Sequence, residues 1–311
     1  MRTDDIIWWN GSIVPWDSAK VHVTSDTALR GLNVFEGLRA YWRPDYETYA
    51  LIGLSEHLDR MVESARLMHI PAQGTPDRIT SGLQALLRRI PDPSDMYLRP
   101  TLYVVSGAYE QDPEHVKTGE FISWRREPAR LFRSLACGIS SWTRIPPSSI
   151  PSQAKVGATY TAFRLARLEA ARRGQDEAIL LNEHGHIAES AGGSVFIESA
   201  GNLVTPPLDS GILPSITRRI VIEVLCPYLG VGVKEARLTA TDLYAADGAI
   251  IAGTLDEISQ VSSVDGHRFA VDGGPRRLCL EIASLFQCFC RGVRIQGTRW
   301  VSTVALRDRQ E

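Results

Sequence analysis

The sequence has no apolar run near the ~18–20 residues that a helix needs to cross a bilayer, which excludes a helical membrane protein. An excess of one charge sign is missing too: 34 Lys and Arg stand against 36 Asp and Glu, a net charge of −2, with both signs scattered along the chain. Without a basic face there is no electrostatic footprint for nucleic acid. Cysteine is scarce, five in 311 residues, odd in number and without a Cys-x-x-Cys pair. A disulfide framework is therefore not expected. Cys279, Cys288 and Cys290 lie in an apolar helical stretch with no His close by, and read as buried free thiols rather than metal ligands. Gly-x-Ser-x-Gly, the Walker loop, His-Glu-x-x-His and Gly-x-Gly-x-x-Gly are all absent, so the common hydrolase, nucleotide and zinc motifs offer no reading. Acids stand in the first ten residues where a signal peptide carries basic charge, and the expectation is a cytoplasmic protein.

What is present is an ordinary globular composition, 44% hydrophobic and 23% charged, in a chain long enough for two domains with sizeable cores. Leu58, Met61, Val62, Ala65 and Met68 mark a helical stripe that Ser55 can cap. Thr75-Pro76 opens a second helix through Ile79, Leu83, Leu86 and Ile90, closed by Pro91. Met96 to Val105 is β-rich, and alternation puts Tyr97 and Arg99 on one face, while Pro100 predicts an edge or a bulge. Residues 124–136 read as the crossing between domains. A helix over 162–173 ends at Gly174. A hairpin joins 178–182 to 186–189, and another helix starts after Pro214. The mixture is α/β.

The chemistry is carried by a scattered set: one lysine, one carboxylate, a helix amino terminus and a Gly-Thr. Alone, Lys155 reads as a surface lysine and Glu189 as a strand-end carboxylate; their surroundings are more specific. Ser140 to Tyr160, with Ile150-Pro-Ser-Gln-Ala-Lys-Val-Gly-Ala-Thr-Tyr160 at its end, resembles the active-site lysine segment of branched-chain amino acid aminotransferases. Asn33-Val-Phe-Glu-Gly-Leu-Arg-Ala-Tyr41, Glu56-His-Leu-Asp-Arg60, Met96-Tyr-Leu-Arg-Pro100, Gly185 to Phe196, Ile212 to Arg218 and Ala252-Gly-Thr-Leu-Asp-Glu-Ile258 resemble further blocks of that family, in its order.

The resemblance implies a class IV, pyridoxal-phosphate-dependent aminotransferase with the two-domain D-amino-acid-transaminase-like fold (PLP fold type IV) and the cofactor at the domain interface. It implies a small α/β domain over 1–123, an interdomain loop over 124–136 and a large domain over 137–311. By motif, Lys155 attaches the cofactor and serves as catalytic base, which requires an amine that loses its proton readily. Glu189 faces the pyridine nitrogen and favours its protonated form. Arg60, the first-turn N–H groups of Ile216 and Thr217, and Thr254 grip the phosphate. Tyr160 bonds the ring hydroxyl and Leu213 packs on the ring. Tyr97 and Arg99, with the backbone of Thr254-Leu255, hold the substrate carboxylate, and Phe35 and Trp124 line its side-chain pocket. The implied reaction moves an amino group between an L-amino acid, with L-glutamate as donor, and a branched-chain or related 2-oxo acid. No metal is implied, and the assembly is a homodimer.

The sequence departs from the family pattern mainly near the substrate. Arg30 stands where a Tyr precedes the Gly corresponding to Gly31; Trp124 is followed by Arg125-Arg126 in place of a nearby Tyr; and a small pair becomes Leu255-Asp256. An unpaired arginine beside an apolar substrate is costly. Either Arg30 points away or pairs within the protein, or the pocket receives a polar or anionic side chain. The latter leaves open an aminotransferase for acidic substrates in specialised metabolism, and a lyase acting like aminodeoxychorismate lyase is a further alternative. Gly193-Ser194 replaces a usual Glu-Asn, and Ser215 replaces a Gly but is a sound helix cap.

Overall fold

The computed structural model describes residues 6–130, 133–269, 276–295 and 297–306. The chain divides into two compact units: Met1–Pro128 with Ala154–Ala158 and Cys290–Glu311, and Ala129–Gln153 with Thr159–Phe289. The strip carrying Lys155 thus groups with the amino-terminal unit, where the sequence reading set it in the second domain. Its backbone explains this: Phe35 N donates to the Lys155 carbonyl at 3.1 Å, and Lys155 N donates to Ser64 Oγ at 2.9 Å. The carboxy-terminal strand Val301–Ala305 likewise pairs with Thr48–Ile52.

The first unit is built on an eight-stranded sheet in the order Val301–Ala305, Thr48–Ile52, Leu38–Arg43, Met96–Ser106, Lys117–Arg126, Ile6–Trp9, Ser12–Pro15, with Asn33–Phe35 also paired to Met96–Ser106. Strand alternation divides its side chains. Leu38, Ala40, Met96, Leu98, Ile122 and Trp124 face the helices Leu54–Leu67 and Thr75–Arg89, which contribute Leu58, Ile79, Leu83, Leu86 and Leu87 to one core. Burying each such side chain stabilises by about 1.5–3 kcal/mol. Tyr97, Arg99, Thr101, Phe121, Ser123 and Arg125 take the opposite face and line a cavity.

Two local expectations are corrected. The first helix is capped by Gly53 in the left-handed region (φ 63), not by Ser55, and starts at Leu54. Pro100 lies within an interior strand, not at an edge. Its carbonyl accepts from Glu36 N, and a residue's N and C=O point to the same side of a strand. The missing N–H therefore faces the break between Asn33–Phe35 and Leu38–Arg43, where no ladder bond is lost.

The second unit has a nine-stranded sheet in the order Ile187–Ser190, Glu177–Leu181, Ser134–Ile139, Glu257–Val264, Gly248–Gly253, Ser194–Ser199, Asn202–Thr205, Val233–Glu235, with His267–Arg268 paired to Glu257–Val264. Both faces are buried. Ile179 joins Leu135, Val195, Ile197 and Ile251 on one side, while Ala178 and Leu180 meet Phe163, Ala166 and Ala170 of the helix Tyr160–Arg172 on the other. The hairpin and the helix ending before Gly174 fall where the patterns predict them. Ser215 caps the helix beginning at Ile216 by accepting from Arg218 N at 3.2 Å. The thiols of Cys137, Cys226, Cys279, Cys288 and Cys290 are free.

Candidate active site

In the first unit, the predicted residues Phe35, Arg60, Tyr97, Arg99 and Lys155 gather from strands, one helix and the 154–158 strip. The bridge between Val34 and Val156 sets Lys155 beside Phe35. Its Nζ lies 5.1 Å from the centre of the Phe35 ring, and the Arg99 guanidinium lies 3.7 Å from the same centre. Tyr97 stands two residues from Arg99 on that face, and its hydroxyl packs against Gly37, where a Cβ would meet it at 2.6 Å and have to displace it.

Arg60 is fixed from behind by a partner the sequence reading missed. Its Nε and Nη2 donate to the two carboxylate oxygens of Glu36, each at 2.7 Å, and His57 Nδ1 lies 2.6 Å from Glu36 Oε2. Burial alone would raise the Glu36 carboxyl, but Arg60 and then His57 outweigh it and hold the carboxyl at about 2. Burial and the neighbouring cations Arg60 and Lys155 push His57 down against the pull of Glu36. Glu36 and His57 both stand inside the sequence blocks that carry the family resemblance. Their convergence depends on the helix Leu54–Leu67 crossing the sheet and leaves no local signal.

Arg30 pairs within the protein, one of the two outcomes its position allowed. Its Nη1 donates to Asp26 Oδ1 at 2.5 Å, its guanidinium lies 5.2 Å from the Tyr109 ring centre, and it does not line the cavity. The i, i+4 spacing of Asp26 and Arg30 is the sequence signal for this pair. Trp124 packs in the helix-side core, with its indole N–H donating to the Ile6 carbonyl at 2.9 Å, although part of it also lines the cavity. The next residue, Arg125, alternates onto the cavity face instead.

In the second unit, Glu189 is buried and paired with the buried Arg144, whose Nε donates to Oε1 at 2.6 Å; Leu213 N donates to Oε2 at 3.4 Å. Tyr160 heads the helix Tyr160–Arg172 and meets Phe163 edge-on at 5.2 Å. Ile216 and Thr217 form a first helical turn, whose N–H groups lack intrahelical partners. Thr254, Leu255 and Asp256 form the loop of a hairpin in which Gly253 is paired with Glu257. The Asp256 carboxylate turns inward to accept from Arg133 Nη1 at 2.9 Å, so this departure from the family pattern braces the loop. Gly193 is a second close approach: a Cβ there would meet the Ala252 carbonyl oxygen at 2.5 Å. Among the described residues no group of His, Cys, Asp and Glu could hold a metal ion, and no helix is long and apolar enough to cross a membrane.

The family model for class IV amino-transferases matches residues 33–264. The branched-chain-amino-acid aminotransferase of Escherichia coli (strain K12) is 35% identical over 268 residues, covering 84% of this chain and 85% of that one. The crystal structure of the branched-chain amino acid aminotransferase from Thermobaculum terrenum in its PLP form superposes with a TM-score of 0.90 at 33% identity, over 98% of this chain and 99% of the other. The T.th. branched-chain amino acid aminotransferase, complexed with N-(5'-phosphopyridoxyl)-L-glutamate, gives 0.88 at 30% identity, over 97% and 99%. The chain therefore belongs to the class IV aminotransferases and is a pyridoxal-phosphate-dependent transaminase.

Proposed function

We propose that the chain moves an amino group between L-glutamate and a 2-oxo acid that is branched-chain or a relative of one, with Lys155 as the catalytic residue. The observation that carries this reading is the shared position of Lys155 Nζ and the Arg99 guanidinium over one Phe35 ring. A base for the substrate Cα proton and a cation for its carboxylate then both stand against the same ring. The relatives named above are branched-chain amino acid aminotransferases, and one was crystallised with a glutamate conjugate of the cofactor, which supports both substrate halves.

The residues present fit pyridoxal phosphate by the chemistry of their donors: an amine at Lys155, a guanidinium at Arg60, a buried carboxylate at Glu189, hydroxyls at Thr217 and Thr254. When bound, the cofactor supplies an electron sink for the bond broken at the substrate Cα. Arg60, braced by Glu36, and the first turn at Ile216 and Thr217 hold the phosphate. Glu189, oriented by Arg144, holds a proton at the pyridine nitrogen. Tyr160 orients the ring hydroxyl. Tyr97 and Arg99 bind the substrate carboxylate, and Lys155 Nζ takes the Cα proton. A homodimer belongs to the same reading: Leu29 and Tyr109, on either side of the Asp26–Ala108 hydrogen bond, are exposed apolar side chains that a second copy can cover.

The test is a half-reaction on the purified holoenzyme, watching the visible absorbance of the bound cofactor while single amino acids are added. Loss of the band with L-leucine and L-glutamate, and its absence in Lys155→Ala, is the expected outcome. A band that no amino acid discharges would overturn the reading and turn the search to elimination chemistry. Full turnover by Lys155→Ala would remove the mechanism.

A further inference from the structure

The hairpin loop Thr254-Leu255-Asp256 joins the strands Gly248–Gly253 and Glu257–Val264, and its side chains part ways: Thr254 and Leu255 are half-buried, whereas Asp256 is buried. A buried carboxylate is costly unless cations meet it, and here two arginines do. Arg133 Nη1 donates to Asp256 Oδ1 at 2.9 Å, and Arg167 Nη2 stands 4.0 Å from Oδ2. Arg167 belongs to the helix Tyr160–Arg172 and is itself fixed by the buried Glu177, whose Oε2 accepts from Arg167 Nη2 at 2.6 Å. The Asp256 carbonyl is held as well, accepting from Ser259 Oγ at 2.6 Å. On its other side lies the turn that follows Glu189. The Asp256 carboxylate packs against Gly192 of that turn, where a Cβ would have to displace it. Two departures from the family pattern are thus neighbours: a glycine at 193, where an acid is usual, and an acid at 256, where a small residue is usual.

We propose that Asp256 is a positioning residue for substrate binding: held between Arg133 and Arg167, it fixes the Thr254-Leu255 backbone in the conformation that takes the substrate's α-carboxylate. The inference rests on the transaminase reading above and deepens it, from the loop that meets the substrate to the side chain that holds the loop. A hairpin loop at the end of a sheet has conformational freedom to lose, and a substrate that must order it binds more weakly. Asp256 removes that freedom beforehand, because its side chain and its carbonyl are both anchored inside the second unit. Thr254 and Leu255 stay half-buried and open to a ligand. The pairing also settles the sign of the charge: an acid next to a carboxylate site repels the substrate unless a cation compensates it, and Arg133 does so at hydrogen-bond distance. Asp256 therefore acts through the backbone on the carboxylate that every amino acid substrate shares. It acts neither on the substrate side chain nor on the proton transfer at Lys155.

Calorimetric binding of 4-methylpentanoate, the leucine skeleton without its amino group, to the holoenzyme tests this, together with the half-reactions of L-leucine and L-glutamate. Asp256→Ala is expected to weaken 4-methylpentanoate about tenfold. It should raise the half-saturating concentrations of both amino acids by a similar factor, with the rate at saturation within about twofold of wild type. Asp256→Asn, which keeps an acceptor oxygen for Arg133, is expected to fall between. Arg133→Met, which leaves the loop sequence intact, should shift binding in the same direction, and it decides the question by the same measurements if Asp256→Ala does not fold. Unchanged binding in these variants, a loss confined to the saturating rate, or a shift for only one of the two amino acids overturns the proposal. The transaminase reading fails separately, when no amino acid discharges the visible band of the wild-type protein.

Discussion

Glu36 is fully buried, and its carboxyl is held at about 2 against an ordinary value of 4.5 by Arg60 and His57. The sign of the linkage follows: a depressed carboxyl contributes stability above its unfolded pKa and loses it as pH falls toward the folded one. On that basis the ion pair contributes on the order of 3 kcal/mol at neutral pH. Glu36→Gln is expected to unfold at lower denaturant than wild type at pH 7, with the difference shrinking from about pH 4.5 down to 2. Chemical denaturation across that range measures it; a difference that persists undiminished at pH 2 would mean the pair is not its source. Arg30 shows the opposite case, an exposed arginine whose charge is met one helical turn away by Asp26.

The helix Thr75–Arg89 carries a glycine at its middle for a packing reason. A Cβ at Gly82 would lie 2.6 Å from Trp8 and 2.9 Å from Ile122, both in the helix-side core. Replacing a mid-helix glycine by alanine normally gains about 1 kcal/mol. Here the indole is wedged in the core and cannot yield cheaply, and overpacking of this kind costs about 1–3 kcal/mol. Gly82→Ala is therefore expected to lower stability in spite of its better helix propensity, and a higher urea midpoint for the variant would refute this. The amphipathic spacing of this helix and of Leu54–Leu67 was legible in the sequence, because i, i+3, i+4 periodicity is a property of the chain alone. The Gly53 cap was not, since it depends on the Gly53 N–H meeting the Trp300 carbonyl, far away in sequence.

Across the whole molecule the thiols give a simple measure of packing. Cys137, Cys226, Cys279 and Cys290 are buried, and Cys288 is partly so. Burial pushes the thiols of Cys226 and Cys279 up to about 12, the latter with help from Glu198, so neither offers thiolate at neutral pH. A colorimetric disulfide reagent should label no more than Cys288 quickly in the native protein and the other four only on unfolding. Rapid labelling of several thiols under native conditions would contradict the cores described for both units.

The sequence by itself determined the mixture of helices and strands, the free cysteines, the common face of Tyr97 and Arg99, the family and its cofactor. Each rests on local spacing or on ordered blocks of residues. Tertiary structure decided the rest: Lys155 in the first unit, Pro100 at a break in its partner strand, Trp124 in the helix-side core, and Glu36 with His57 behind Arg60. It also turned Arg125 toward Tyr97, although its neighbours in sequence face both ways. These outcomes depend on strand register and helix crossing, which bring together residues far apart in the chain; a one-residue shift of register would send every one of those strand side chains to the other face.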